Sequence, residues 1–248
     1  MNDFIYKYVD LNGLKIILKN QTLKFSNPLD FNDPFEFHDN LVDRKLSAKH
    51  QLEIYKKFDK NITREKLKWY KKEIKEDLKK PQSHLIKLFE EKKLSTKVTC
   101  FSEINDNILM WAHYADKHNG ACIKFDTKKL FSSFKTDSYL SNVKYHRRII
   151  TKKYSKLREN AIEHWISSKS KDWKYEKEVR IILGSSTSNI LPFDIESIND
   201  IIFGCKLTEE QKIDIEKLIF QEMSYDWIKT REMKISNTEY KLEINNRW

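Results

Sequence analysis

The chain has 248 residues, 34% charged and 12% aromatic, with 47 Lys+Arg against 37 Asp+Glu and a formal net charge of +10. Such a length can bury a sizeable core, the aromatic content argues against disorder, and only 4 Gly and 4 Pro argue against solenoids, collagen-like segments and long flexible linkers. No apolar run approaches the ~18–20 residues of a membrane span, and residues 1–10 lack the basic-then-apolar order of a signal peptide, so the expected setting is cytoplasmic with no membrane partner.

Residues Phe4–Val9 are short and β-prone. Leu11, Leu14, Ile17 and Leu18 then recur at helical spacing, with Asp10 or Asn12 as N-cap. A strand over 22–26 is broken by Asn27-Pro28, and residues 31–36 form a dense polar and aromatic turn with neither period. Residues 41–97 read as an inserted helical region. Leu67, Tyr70, Ile74 and Leu78 form an apolar stripe behind the cap candidate Thr63, Pro81 ends it, and Ser83 caps a helix carrying Leu85, Leu88 and Phe89. β character returns over 98–102, followed by a short helix over Ile108–Tyr114 and a strand over 121–125. A further strand begins at 143–145, a basic helix lies around 154–166, and Glu178–Leu183 and Ile198–Phe203 are strands. Thr208-Glu209-Glu210-Gln211 is a capping box that opens a helix through Glu222, and Tyr240, Leu242 and Ile244 alternate as a terminal strand. The expected class is α+β: one domain over 1–248 with a basic helical insertion at about 41–97.

The charge is uneven. Residues 41–97 carry +9 and 144–180 carry +7, whereas 1–40 carry −2, 98–143 balance, and 181–248 carry −4. Two basic blocks alternating with neutral or acidic ones suggest a polyanion such as nucleic acid, although lysine-rich helices are also simply well solvated. Aromatics interleave with the basic residues (Trp69, Tyr70, Tyr154, Trp165, Trp173), either as base-stacking groups or as core.

Standard signatures for nucleotide loops, zincins and serine hydrolases are absent. The seven histidines are isolated, and His113 and His118 are five apart, the wrong spacing for a shared helix face, so no metal site is expected. Cys100, Cys122 and Cys205 lack CxxC spacing, which fits a reducing compartment; Cys100 and Cys122 sit in apolar strands as small hydrophobes.

Two places break local rules. In the loop 26–36, the polar groups of Asn32 and Asp33 lie among aromatics and prolines, so they either close Asx turns on their own backbone or face a ligand. In 173–180, a strand starting at the front of the segment would put Glu176, Glu178 and Arg180 on one face. That pattern suits a salt-bridged edge strand, or carboxylates that stabilise positive charge developing on a sugar.

These residues carry two resemblances. Tyr6–Tyr8, the Phe-Ser-Asn-Pro-x-x-Phe-Asn-Asp-Pro-Phe-Glu segment over 25–36, the Cys-Phe-Ser…Met-Trp-x-His-Tyr segment over 100–114 and Tyr-Glu-x-Glu-x-Arg over 175–180 resemble a widespread bacterial domain family of unknown function. More remotely, the order of elements resembles the ADP-ribosyltransferase fold, particularly the DarT-type enzymes that modify nucleic acid. That resemblance implies a split β-sheet core and NAD as co-substrate, bound between the first strand and the Glu178 strand. It implies that Glu178 is the essential carboxylate, that it or Glu176 orients the acceptor, and that Ser26 supports the nicotinamide ribose. It further implies that Tyr8 or Tyr114 stacks on nicotinamide and that Lys7 contacts phosphate. Tyr6, Asn32, Asp33, Met110 and Trp111 complete the implied cofactor-binding set. It also implies a toxin or anti-phage role, with an antitoxin or defence-system partner.

Overall fold

The computed structural model describes residues 2–43, 48–59, 62–77, 79, 84–134, 138–153, 159–183 and 188–247. The chain divides into two compact units: residues 1–26, 97–145 and 170–248 form one, and 27–96 with 146–169 form the other. The fold is mixed α+β with a large mixed sheet and several helices. Its strands in chain order are β1 (Phe4–Val9), β2 (Thr22–Lys24), β3 (Val42–Asp43), β4 (Lys97–Ser102), β5 (Ala121–Asp126), β6 (Ser138–Asn142), β7 (Lys144–His146), β8 (Lys152–Lys153), β9 (Ser168–Ser170), β10 (Glu178–Leu183), β11 (Ile190–Pro192), β12 (Ile198–Phe203), β13 (Lys229–Ile235) and β14 (Leu242–Asn246). The helices are α1 (Leu11–Asn20), α2 (Ala48–Phe58), α3 (Arg64–Asp77), α4 (His84–Ser95), α5 (Ile108–Tyr114), α6 (Thr127–Ser132), α7 (Glu159–Ser167) and α8 (Glu209–Lys217).

The first unit is built on an eight-stranded sheet in the order β14-β13-β12-β5-β1-β4-β10-β6, parallel only between β12 and β13. Strand alternation sends Ile5, Phe101, Ile123, Phe125, Ile181 and Ile201 to one face. There they pack with Leu14 and Leu18 of α1 and Ile215 of α8. Asp10 starts α1 by accepting from Gly13 N at 2.6 Å, and Gln21 ends it in the left-handed region. The other face carries a smaller cluster, Tyr8, Met110, Trp111, Cys122, Ile202 and Met233, under α5. Gly120 permits the close approach of β1: a Cβ there would lie 2.2 Å from Val9 O.

The ladder between β1 and β4 is narrow. It pairs only Tyr6 with Ser102, whereas β1–β5 and β4–β10 each pair six positions. Lys7 spans this junction, its Nζ donating to Thr99 Oγ1 and Cys100 O, both at 3.0 Å.

The second unit carries α2, α3, α4 and α7. Thr63 Oγ1 accepts from Lys66 N at 3.2 Å, Ile74 is buried, and Tyr70 stacks on Tyr55 with ring centroids 4.6 Å apart. Trp165 of α7 is the buried centre of this unit, packed against Phe37 and Phe89 at 4.7 and 5.4 Å. It is core rather than a stacking platform. Leu78, Pro81, Ser83 and Tyr154 lie outside the described residues, as do the side chains of Leu85 and Leu88.

Several elements differ from the sequence expectation. The strand at 178 does not extend back to Glu176: Lys171–Glu176 is a 3₁₀ helix capped by Ser170, and Lys177 adopts φ 42° before the strand begins. Nor is that strand an edge, since β4 and β6 flank it. Strands β6 and β13 are largely polar, without the period-two pattern that marks a strand in sequence. The helix opened by the Thr208–Gln211 capping box is α-helical to Lys217 and ends in a π turn over Leu218–Glu222. The terminal strand starts at Leu242, leaving Tyr240 in solvent.

The C-terminal strand is fastened by charge. Arg247 donates to Glu209, Glu216 and Glu232, and Lys212 Nζ reaches Glu232 Oε2 at 2.7 Å. Burial pushes the Glu232 carboxyl upward, but its bonds to Lys212 and Lys234 outweigh that and hold it at about 2, below the ordinary 4.5. Its stabilising contribution is therefore complete above about pH 4.5 and disappears as pH falls toward about 2. Glu232→Gln should lower the unfolding free energy at neutral pH and flatten its decline through that acid window, as measured by urea denaturation at several pH values.

Candidate active site

The register across the sheet aligns Glu178, Ser102, Tyr6 and Lys124 in one row. Directly opposed residues in an antiparallel ladder share a face. Arg180, two residues on from Glu178, therefore shares that face, opposite Cys100. Arg180 is 0% exposed and Glu178 6%. Arg180 Nε donates to Glu178 Oε1 at 2.8 Å and Nη2 to Oε2 at 3.0 Å, a bidentate charge-assisted pair.

Neighbouring elements fix this pair in place. Glu178 N donates to Tyr145 Oη at 2.8 Å, and Val143 N donates to Glu178 O at 2.9 Å. Burial first, and the Glu178 charge second, push the Cys100 thiol well above the ordinary range. Burial also raises the Tyr145 hydroxyl, so it stays protonated and hydrogen-bonding.

Glu176 arrives from the 3₁₀ turn rather than from the strand. Ser102 Oγ donates to Glu176 O at 2.6 Å, tying the turn to β4. Tyr114 Oη, at the end of α5, donates to Glu176 Oε1 at 2.6 Å. Helix α5 starts where Asn107 Oδ1 accepts from Leu109 N at 2.9 Å. Trp111, fully buried, donates Nε1 to Asn105 O at 2.7 Å and meets Tyr8 edge-on at 5.3 Å. Tyr8 Oη donates to Ile104 O at 3.0 Å. Glu176 is thus held against Tyr114, and Glu178 faces the same side of the sheet as Tyr6, with β4 between them.

Of the residues singled out in the sequence, Tyr6, Tyr8, Met110, Trp111, Tyr114, Glu176 and Glu178 gather on this side of the first unit. Lys7 points to the opposite face, over the Phe101 ring at 5.0 Å; burial lowers its ammonium from the ordinary range. Ser26 bridges Val98, which is level with Ile182, four residues or roughly 13 Å along the strands from Glu178. Ser102 reaches Glu178 only through cross-strand register and Tyr145 only through its hydroxyl, contacts between residues far apart in sequence that composition does not show.

Asn32 and Asp33 belong to the second unit. Asn32 is exposed, whereas Asp33 is buried. Asp33 Oδ1 accepts from Phe35 N at 2.9 Å, an Asx turn, and its Oδ2 has no hydrogen-bond partner among the described residues. Glu36 is buried with Lys169 Nζ 3.9 Å away. Phe37 is fully buried at φ 52°, an uncommon conformation for a bulky residue, and its packing on Trp165 holds it there. Among the described residues no group of three or more His, Cys, Asp or Glu could hold a metal ion, and no helix is long and apolar enough to cross a membrane.

A family model described as a protein of unknown function, DUF2971, matches residues 110–181, a stretch that includes Met110, Trp111, Tyr114, Glu176, Glu178 and Arg180. No curated protein and no solved structure matches the chain.

Arg180→Leu should lower the unfolding free energy by about 3–5 kcal/mol, because it breaks a bidentate ion pair to a buried carboxylate. Tyr114→Phe should cost about 1–3 kcal/mol by removing the donor to buried Glu176. Urea denaturation followed by tryptophan fluorescence measures both.

Proposed function

We propose that the chain is an NAD-dependent ADP-ribosyltransferase whose acceptor is a nucleic acid, acting in a toxin or anti-phage role. One observation carries this proposal: buried Glu178 and Glu176 lie on the sheet face that also carries Tyr6, Tyr8, Trp111 and Tyr114, with Tyr114 hydrogen-bonded to Glu176. The near-parting of the sheet between β1 and β4 supports a split-sheet transferase architecture.

Ionised Glu178 has about four lone-pair positions, and Arg180 takes one on each oxygen. In this reading the carboxylate also accepts from the ribose 2′-hydroxyl of NAD. The negative charge stabilises positive charge growing on the ribose carbon as nicotinamide leaves. The guanidinium keeps the carboxylate ionised and fixes its orientation, so no reorganisation is needed at the reacting moment. An aromatic ring of that face stacks on nicotinamide. Glu176, held by Tyr114, accepts the proton of the attacking acceptor group.

The nucleic-acid acceptor is supported by the division of charge. The helical unit holds 24 basic and 15 acidic residues, a net +9, whereas the sheet unit holds 23 and 22, a net +1. Phosphate neutralisation dominates affinity for nucleic acid. The same partition favours a second reading, a nucleic-acid-binding module without catalysis.

Incubating the purified chain with labelled NAD and a cell lysate separates these. Label should enter nucleic acid, and Glu178→Gln should reduce incorporation at least ~100-fold while leaving nucleic-acid binding intact. Label in protein, or only in free ADP-ribose, would replace the acceptor by protein or water. No NAD consumption alongside retained nucleic-acid binding would favour the non-catalytic module.

A further inference from the structure

The polar and aromatic loop of the second unit plays no part in the carboxylate site, yet its construction is rigid. Pro34 restricts the backbone, Asp33 Oδ1 holds Phe35 N, and buried Phe37 anchors the loop on Trp165. The rigidity leaves Phe35 52% exposed, its ring stacked on His38 with centroids 5.8 Å apart and planes at 30°. Asn40 N donates to His38 Nδ1 at 3.2 Å, which fixes the ring. An apolar ring held in solvent gains nothing for folding.

Free cations adjoin it. Thr151 Oγ1 donates to Asn40 O at 2.7 Å, and β3 pairs with β8 through Val42–Lys152 and Asp43–Lys153. The exposed Arg147 and Arg148 lie four and three residues before Thr151, within at most ~11–14 Å of this anchor. Among the described residues, neither arginine has an acidic partner within salt-bridge distance, nor does Lys153. The loop therefore sets a stacking surface beside unpaired positive charge, in the unit that holds nearly all the net charge.

We propose that this face binds single-stranded nucleic acid, one base stacking on the Phe35–His38 pair and the flanking phosphates lying on Arg147, Arg148 and Lys153. A paired base hides its face within the duplex, so an exposed ring selects unpaired bases. The proposal deepens the nucleic-acid part of the function above and does not depend on NAD chemistry.

The test is fluorescence anisotropy with a labelled single strand of about 15 nucleotides and the corresponding duplex, across a salt series. The wild type should prefer the single strand. Phe35→Ala, a surface change, should weaken single-strand binding about tenfold with little effect on the duplex. Arg147→Ala with Arg148→Ala should reduce the salt slope by about 1.4, at ~0.7 per lost phosphate contact on a single strand. Equal affinity for duplex and single strand, or unchanged single-strand binding in Phe35→Ala, would overturn this assignment and leave the nucleic-acid acceptor standing. Absence of binding to either form would remove both, and Phe35 would then point to a protein partner. Single-strand binding by a chain that never consumes NAD would keep this face and remove the transferase.

Discussion

A guanidinium buried within a β-sheet governs the carboxylate site. Removing Arg180 from water costs several kcal/mol, and only a bidentate, ionised partner offsets it. Glu178 is that partner, two residues away on the same face. The pairing obliges Glu178 to stay charged in a place where an unpaired carboxylate would protonate. It also fixes the carboxylate in one orientation. Tyr145 accepts from the Glu178 backbone N, which holds the strand under the carboxylate in place. A residue placed in this way is pre-organised to stabilise positive charge, whatever molecule supplies it.

The charge is divided unevenly between the two units. The sheet unit, close to neutral, holds both carboxylates and the aromatic rings of their face. The helical unit, at +9, carries the exposed rings and unpaired cations. The basic blocks at 41–97 and 144–180 are distant in sequence, yet most of both falls in this one unit, joined through β3 and β8 and through Trp165. Charge that looked like two separate features in the sequence is largely one body.

Most strands that bury a face were legible. Phe4–Val9, Glu178–Leu183 and Ile198–Phe203 alternate or run apolar because the core dictates them. The Asp10 cap and the Thr208 capping box were legible for the same local reason. Strands β6 and β13 were not, since their pairing rather than their composition makes them strands. Glu176 and Glu178 were identified together on the wrong grounds. Period two does not link them; the left-handed Lys177 breaks the strand, and Ser102 and Tyr114 bring Glu176 back. The Asx turn at Asp33 is legible as one of two readings of the loop, but the outward face of Phe35 is not, because orientation there depends on Phe37 turning inward.

The central claim is that Arg180-clamped Glu178 drives departure of nicotinamide. Chromatographic measurement of nicotinamide released on mixing the purified protein with NAD and cellular nucleic acid tests it most directly. The account predicts release by the wild type, near-complete loss in Glu178→Gln, and a large loss in Arg180→Lys, which keeps the charge but not the fork. Release that is equal in wild type and Glu178→Gln, or absent in the wild type, would contradict it.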